Sequence, residues 1–127
     1  MKLISTFVIL FFPAICFANT SICKLEDNSS AIKAIAWDKN NGKAKVTDSL
    51  DKQYEGVVTL SRKHDRGDKV NIYIKYDEPY DGNDAIEFIV FPVTSGYRVI
   101  SVSYIIKNGE KYLNTFGGNY TASCLSL

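Results

Sequence analysis

His64 followed by Asp65 is the one place in this chain where an imidazole stands beside a carboxylate. Imidazole titrates near neutrality and a carboxylate can hold its tautomer, so the pair has the residue types of a general base and its orienting acid. Consecutive side chains in a turn rarely aim at one proton, however, and no serine elbow or triad setting marks a nucleophile elsewhere. A solvated turn histidine is the expected role. Arg66-Gly67-Asp68, which follows, spells the tripeptide recognised by integrins. Glycine between charges is also ordinary turn chemistry, and a displayed polar tip is the simpler expectation.

A second group of oxygen-bearing residues runs through Asp77-Glu78-Pro79-Tyr80-Asp81-Gly82-Asn83-Asp84. Hard cations take several such oxygens, but the spacing is not that of an alternating aspartate loop. We expect a solvated loop in which Tyr80 is placed for a protein contact, and neither a metal nor another cofactor is expected. Carboxylate pairs for glycoside hydrolysis are defined by their separation in space, so the sequence selects none. The tyrosines and Trp37 suit the core and rim of a β-domain, and Tyr73 near Lys75 on a wet face is where an exception would lie.

The cysteines are Cys16, Cys23 and Cys124. Cys16 lies in a stretch that reads as a secretory signal peptide: Lys2, an apolar run from Leu3 to Phe12, Pro13, then Cys16-Phe17-Ala18 before Asn19. Cleavage after Ala18 is expected. Pro13 and Asn19 close the run short of the roughly 20 apolar residues that span a bilayer, and Ile15 before Cys16 argues against a lipid-modified cysteine. Residues 19–127 then form a single β domain with an even cysteine count, and in an oxidising compartment Cys23 and Cys124 should pair. Two thiols and one histidine do not make a zinc site. The expected location is secreted or periplasmic.

Charge excludes other classes. The chain has 15 Lys and Arg against 14 Asp and Glu, and losing Lys2 with the leader makes the counts equal. No basic excess collects phosphates, which argues against nucleic acid, and no polybasic run suits a membrane surface. The sequons at Asn19, Asn28 and Asn119 matter only in a eukaryotic secretory pathway.

The elements that must position these residues read as strands. Residues 22–25 alternate. Residues 31–38 fit either a strand or a helical stripe, but Asn41-Gly42 before the alternating residues 43–48 favours a hairpin through a type I′ turn. Residues 49–55 read as a connection and 57–62 as a strand. In 70–76, Val70, Ile72, Ile74 and Tyr76 oppose Lys69, Asn71, Tyr73 and Lys75, the period-two signature of a half-wet sheet. Residues 86–91 and 97–106 carry large apolar groups on both faces, so these strands should be covered on each side. Asn108-Gly109 signals another hairpin, Gly117-Gly118 a break, and 119–125 a last strand. About seven or eight short strands joined mainly by hairpins predict an all-β antiparallel barrel or sandwich, with one disulfide joining its terminal regions.

Ser95-Gly96-Tyr97-Arg98 and Asn108-Gly109-Glu110-Lys111-Tyr112 are loosely similar to the inhibitory loop of small periplasmic lysozyme inhibitors, which are secreted β-barrels with a disulfide near their ends. The similarity lacks those proteins' fuller motif, and no site residue is carried over from it. A disulfide-tied β scaffold with displayed polar loops and no catalytic constellation points to a non-enzymatic binding protein. Its partner would be a protein such as an envelope hydrolase or toxin. The contact loops would be His64, Asp65 and Arg66; Asp77, Glu78, Tyr80 and Asp81; and Ser95, Tyr97 and Arg98. The alternatives are a small hydrolase or metal-binding enzyme whose site assembles only in three dimensions, and a structural envelope protein that self-associates through an open strand edge.

Overall fold

The computed structural model describes residues 19–26 and 31–127. The expected leader with its cleavage point and Cys16, and the turn at 27–30 with the Asn28 sequon, lie outside the described residues. Eight strands are present: β1 (Thr20–Leu25), β2 (Ile32–Asp38), β3 (Lys43–Asp48), β4 (Gln53–His64), β5 (Gly67–Tyr80), β6 (Asn83–Val93), β7 (Gly96–Lys107) and β8 (Glu110–Ser126). Each pairs antiparallel with the next, and β8 returns to β1, so the sheet is a closed barrel. Closure removes the open strand edges that a sandwich leaves at its sides.

Residues 32–38 are strand, because their partner β3 takes Ile35, Ala36 and Trp37 into register with Val46, Lys45 and Ala44. The connection differs from the expected two-residue turn. Gly42 alone is left-handed there, its N–H donates to the Asp38 carbonyl at 3.0 Å, and the Asp38 carboxylate accepts from the Asn40 and Asn41 amides. The aspartate side chain thus stabilises a wider loop. Type I′ geometry, with positive φ at both central residues, occurs instead at Asp81-Gly82 and Asn108-Gly109.

Three other boundaries move. β4 begins at Gln53, inside the expected connection, because Tyr54 pairs with Val46. The acidic stretch is not a free loop: β5 continues to Tyr80 and β6 starts at Asn83, with a register shift between Lys75 and Tyr80 that sets Pro79 in a bulge. β8 runs unbroken through Gly117-Gly118, where the register against β7 shifts between Ile100 and Val102. These glycines allow close approach rather than a turn. A Cβ on Gly117 would stand 2.2 Å from the Ser101 hydroxyl, which accepts the Gly118 N–H at 2.8 Å.

The inward face carries the core: Cys23, Ile35, Trp37, Val46, Val70, Ile72, Ile74, Phe88, Val90, Val99 and Ala122 are buried. Cys23 faces Cys124 in the β1–β8 register, and the two are disulfide-bonded with Cα atoms 4.0 Å apart. The bond therefore ties the first strand to the last across the closing seam, inside the reach of about 7 Å that a disulfide allows.

Closure corrects one expectation about β6 and β7. A barrel wall has one covered face, so while Phe88, Val90 and Val99 are buried inside, Ile89, Phe91 and Ile100 lie on the outer face and are only half-buried. These strands are not covered on each side.

Candidate functional site

Up-and-down order sends alternate connections to opposite ends of the barrel. One end carries the tips between β2 and β3, β4 and β5, and β6 and β7, together with the chain termini of the barrel. It is closed. Tyr97 points inward there among Ser21, Trp37, Gly67 and Cys124, and a Cβ on Gly67 would strike its hydroxyl. The other end carries the β3–β4, β5–β6 and β7–β8 connections, and the barrel is unfilled beneath them.

This split divides the expected contact residues. His64, Asp65, Arg66, Ser95, Tyr97 and Arg98 belong to the closed end, whereas Asp77, Glu78, Tyr80 and Asp81 belong to the open end. At the closed end Arg66 donates to the Thr94 hydroxyl at 3.1 Å, joining two hairpin tips, and Arg98 donates to Thr121 at 3.1 Å. His64, Asp65 and Arg66 border a shallow depression with Ile89, Phe91, Pro92 and Ile100. Tyr97 is committed to the plug rather than displayed.

The open end holds a cavity of about 390 Å3, bounded among the described residues by side chains of β2 to β8. Its floor is Val46, Ile74 and Phe88. One wall is small: Ser101, Ser103, Gly117 and Gly118 face inward from β7 and β8, leaving room that larger residues would fill. The facing wall is aromatic. Tyr54 and Tyr76 meet edge to face with ring centroids 6.3 Å apart, and Tyr80 lies 5.7 Å beyond Tyr76. Edge-to-face and tilted packing place the positive edge of one ring near the negative face of another.

Backbone pairing explains why tyrosines form this wall. The β4–β5 register starts at Val57 opposite Tyr73 and proceeds toward the closed end. Toward the open end, residues 53–56 pair with β3 and residues 74–80 follow β6. The two strands splay, and Tyr54 and Tyr76 bridge the gap, on whose outer side lies a more polar depression lined also by Lys52, Glu55, Lys75 and Asp77.

The rim is acidic. Asp48 Oδ1 accepts the Leu50 and Lys52 amides, each at 2.9 Å, and Oδ2 accepts the Tyr54 hydroxyl at 3.3 Å. Burial and then the Asp48 charge push the Tyr54 phenol up, and Tyr76 is pushed up to about 12, first by burial and then by Tyr54 and Tyr80. Both phenols are therefore neutral hydroxyl groups at any physiological pH. Asp81 and Asn83 complete the rim, the latter accepting from the Asn114 amide at 2.7 Å.

Comparison with family models, with curated proteins and with solved structures returned no match to this chain. Among the described residues, no three His, Cys, Asp or Glu side chains gather closely enough to hold a metal ion.

The cavity was not foreseen from sequence. Its signal was present in the inward positions of β7, where Val99 gives way to Ser101 and Ser103, and in the paired glycines of β8. Together these mark a side of the barrel whose interior is left unfilled.

Proposed function

We propose that this chain is a non-enzymatic, secreted or periplasmic binding protein that takes a small amphipathic molecule into the open end of its barrel. The cavity carries the reading. Ligand pockets typically run from about 300 to 1,000 Å3, with mostly apolar walls and a few placed polar groups, and the mouths of β-barrels are favoured places for them. An eight-stranded barrel is just wide enough either to fill with side chains or to hold one small ligand. Here the half around Trp37, Val90 and Val99 is filled and the other half is not. The oxidised Cys23–Cys124 bond and the leader-like residues 1–18 support export to an oxidising space.

The enzymatic alternative asks for two acids in one cavity, and Asp48 and Asp81 both line this one. Asp48 already has both oxygens engaged by two amides and a phenol, an arrangement suited to a fixed acceptor and counter-charge rather than to proton transfer. Binding is the better use of the site.

A neutral naphthylamine dye, whose emission rises in apolar surroundings, should titrate the protein with one-site saturation. Thr115 is an exposed residue lining the mouth, so Thr115→Trp should block entry and weaken the dye about tenfold or more, the scale of one lost favourable contact region. Equal binding by the variant, or no saturation with the parent, counts against the lumen as the site.

The expected protein partner has support from a different face. Ile89, Phe91, Pro92 and Ile100 form an apolar strip outside the barrel, bordered by His64, Asp65, Arg66 and Lys69. Apolar strips with a charged border suit protein contacts. If an envelope hydrolase or toxin docks there, Phe91→Asp should abolish its retention on immobilised protein while dye uptake stays intact; unchanged retention would remove this strip from consideration.

A further inference from the structure

We infer that the lumen is selective for a small organic cation with an apolar body, an alkyl- or arylammonium compound. This rests on the lumen being a ligand site and concerns what chemistry it accepts. The charged groups lining the cavity are Asp48 and Asp81, and among the described residues no Lys, Arg or His lines it. A carboxylate, sulfate or phosphate head would meet like charge with no donor cation to receive it, which disfavours anionic amphiphiles.

The aromatic wall adds attraction of the same sign. The faces of Tyr54, Tyr76 and Tyr80 carry the negative lobes of their ring quadrupoles, and a cation within about 6 Å of a ring centroid is held by them. Tyr54 already does this from outside the cavity: the Lys52 ammonium, in the outer depression, lies 5.2 Å from its centroid. Both phenols of the inner pair remain neutral, so the rings add no charge of their own but keep hydroxyl groups for hydrogen bonding.

Asp48 supplies the counter-charge at a fixed place. Its Oδ1 is fastened to the β3–β4 turn by two amides, while Oδ2 has only the longer phenol contact at 3.3 Å. A carboxylate offers about four acceptor positions, so capacity is left for an ammonium head. Below this, Ile74, Ile86 and Phe88 give the apolar body somewhere dry to lie. The head would therefore rest between Asp48 and the tyrosines with the tail directed at Phe88. Lys52, on the far side of Tyr54, and the Lys33–Asp51 ion pair of 2.6 Å at the neighbouring turn are the nearby cations that oppose entry, and Asp81 opposes them from across the rim.

The test uses three probes with one octyl chain, measured calorimetrically on the oxidised protein at low ionic strength: octyltrimethylammonium, octanol and octyl sulfate. The ammonium probe should bind at least about tenfold tighter than octanol, and the sulfate more weakly than either. Asp48→Asn, which retains an acceptor for the turn amides, and Tyr80→Ala, at a residue 62% exposed, should each lower that ratio while leaving octanol affinity unchanged. If the ammonium and octanol probes bind equally, or the sulfate binds best, the cation inference is overturned and the lumen remains a ligand site. If none of the three saturates, both readings fail.

Discussion

Replacing Cys23 and Cys124 together by alanine should lower stability by on the order of 4–5 kcal/mol, because the bond closes a loop of 101 residues in the unfolded chain. That is comparable with the whole stability of a marginal small domain, typically about 5–15 kcal/mol. The magnitude follows from where the bond sits. Cys23 is fully buried, and the β1–β8 seam it crosses joins the two strands farthest apart in sequence. Urea unfolding of the parent, with and without a thiol reductant, and of the double variant gives the measurement. The reduced parent and the variant should share one lowered midpoint. A midpoint that ignores the reductant would mean that the seam is held by its backbone pairing and side-chain packing without help from the bond.

Phe88→Ala should cost about 3–5 kcal/mol, the range for removing a buried aromatic ring. Phe88 is 1% exposed and the largest of the fully buried side chains. It stands between the filled half of the barrel and the cavity, so its loss joins new empty space to old. A closed sheet, hydrogen-bonded all the way round, cannot easily move inward to fill that space, which places the expected cost toward the upper end. Leu113→Ala, at a residue 54% exposed, serves as the control and should stay within about 0.5 kcal/mol. A loss of less than about 1 kcal/mol at Phe88 would show that neighbouring side chains collapse into the gap. It would also predict a lumen that reshapes itself around its contents.

Much of the wall was legible in the residues, because a strand with one wet face announces itself at period two. Val70, Ile72 and Ile74 are buried as their spacing required, and Lys43-Ala44-Lys45-Val46 likewise turns Ala44 and Val46 inward. The pairing of Cys23 with Cys124 needed only compartment and an even count. What could not be read was anything that depends on register around the whole barrel. Ser101, Gly117 and Tyr76 lie on strands that share no pairing, and they border one cavity only because the sheet closes. Ile89 and Phe91 looked like interior residues for the same reason: apolar faces on both sides of a strand indicate burial in an open layered sheet but an exposed strip on a barrel. The contact loops gathered from sequence were chosen by composition, which carries no information about which end of the barrel a turn occupies.

The order of the strands bears on how the chain reaches this structure. Every pairing except β1 with β8 joins neighbours in sequence, so the wall can assemble by successive hairpins, each closing a short loop at small entropic cost. The last seam is different, since it must bring together ends separated by nearly the whole chain. Until it forms, β1 and β8 are free edges able to pair with another molecule, and the nascent protein is most exposed to misassembly at that stage. Oxidation across the finished seam then makes reopening rare, so the bond guards against intermolecular strand exchange as well as against unfolding.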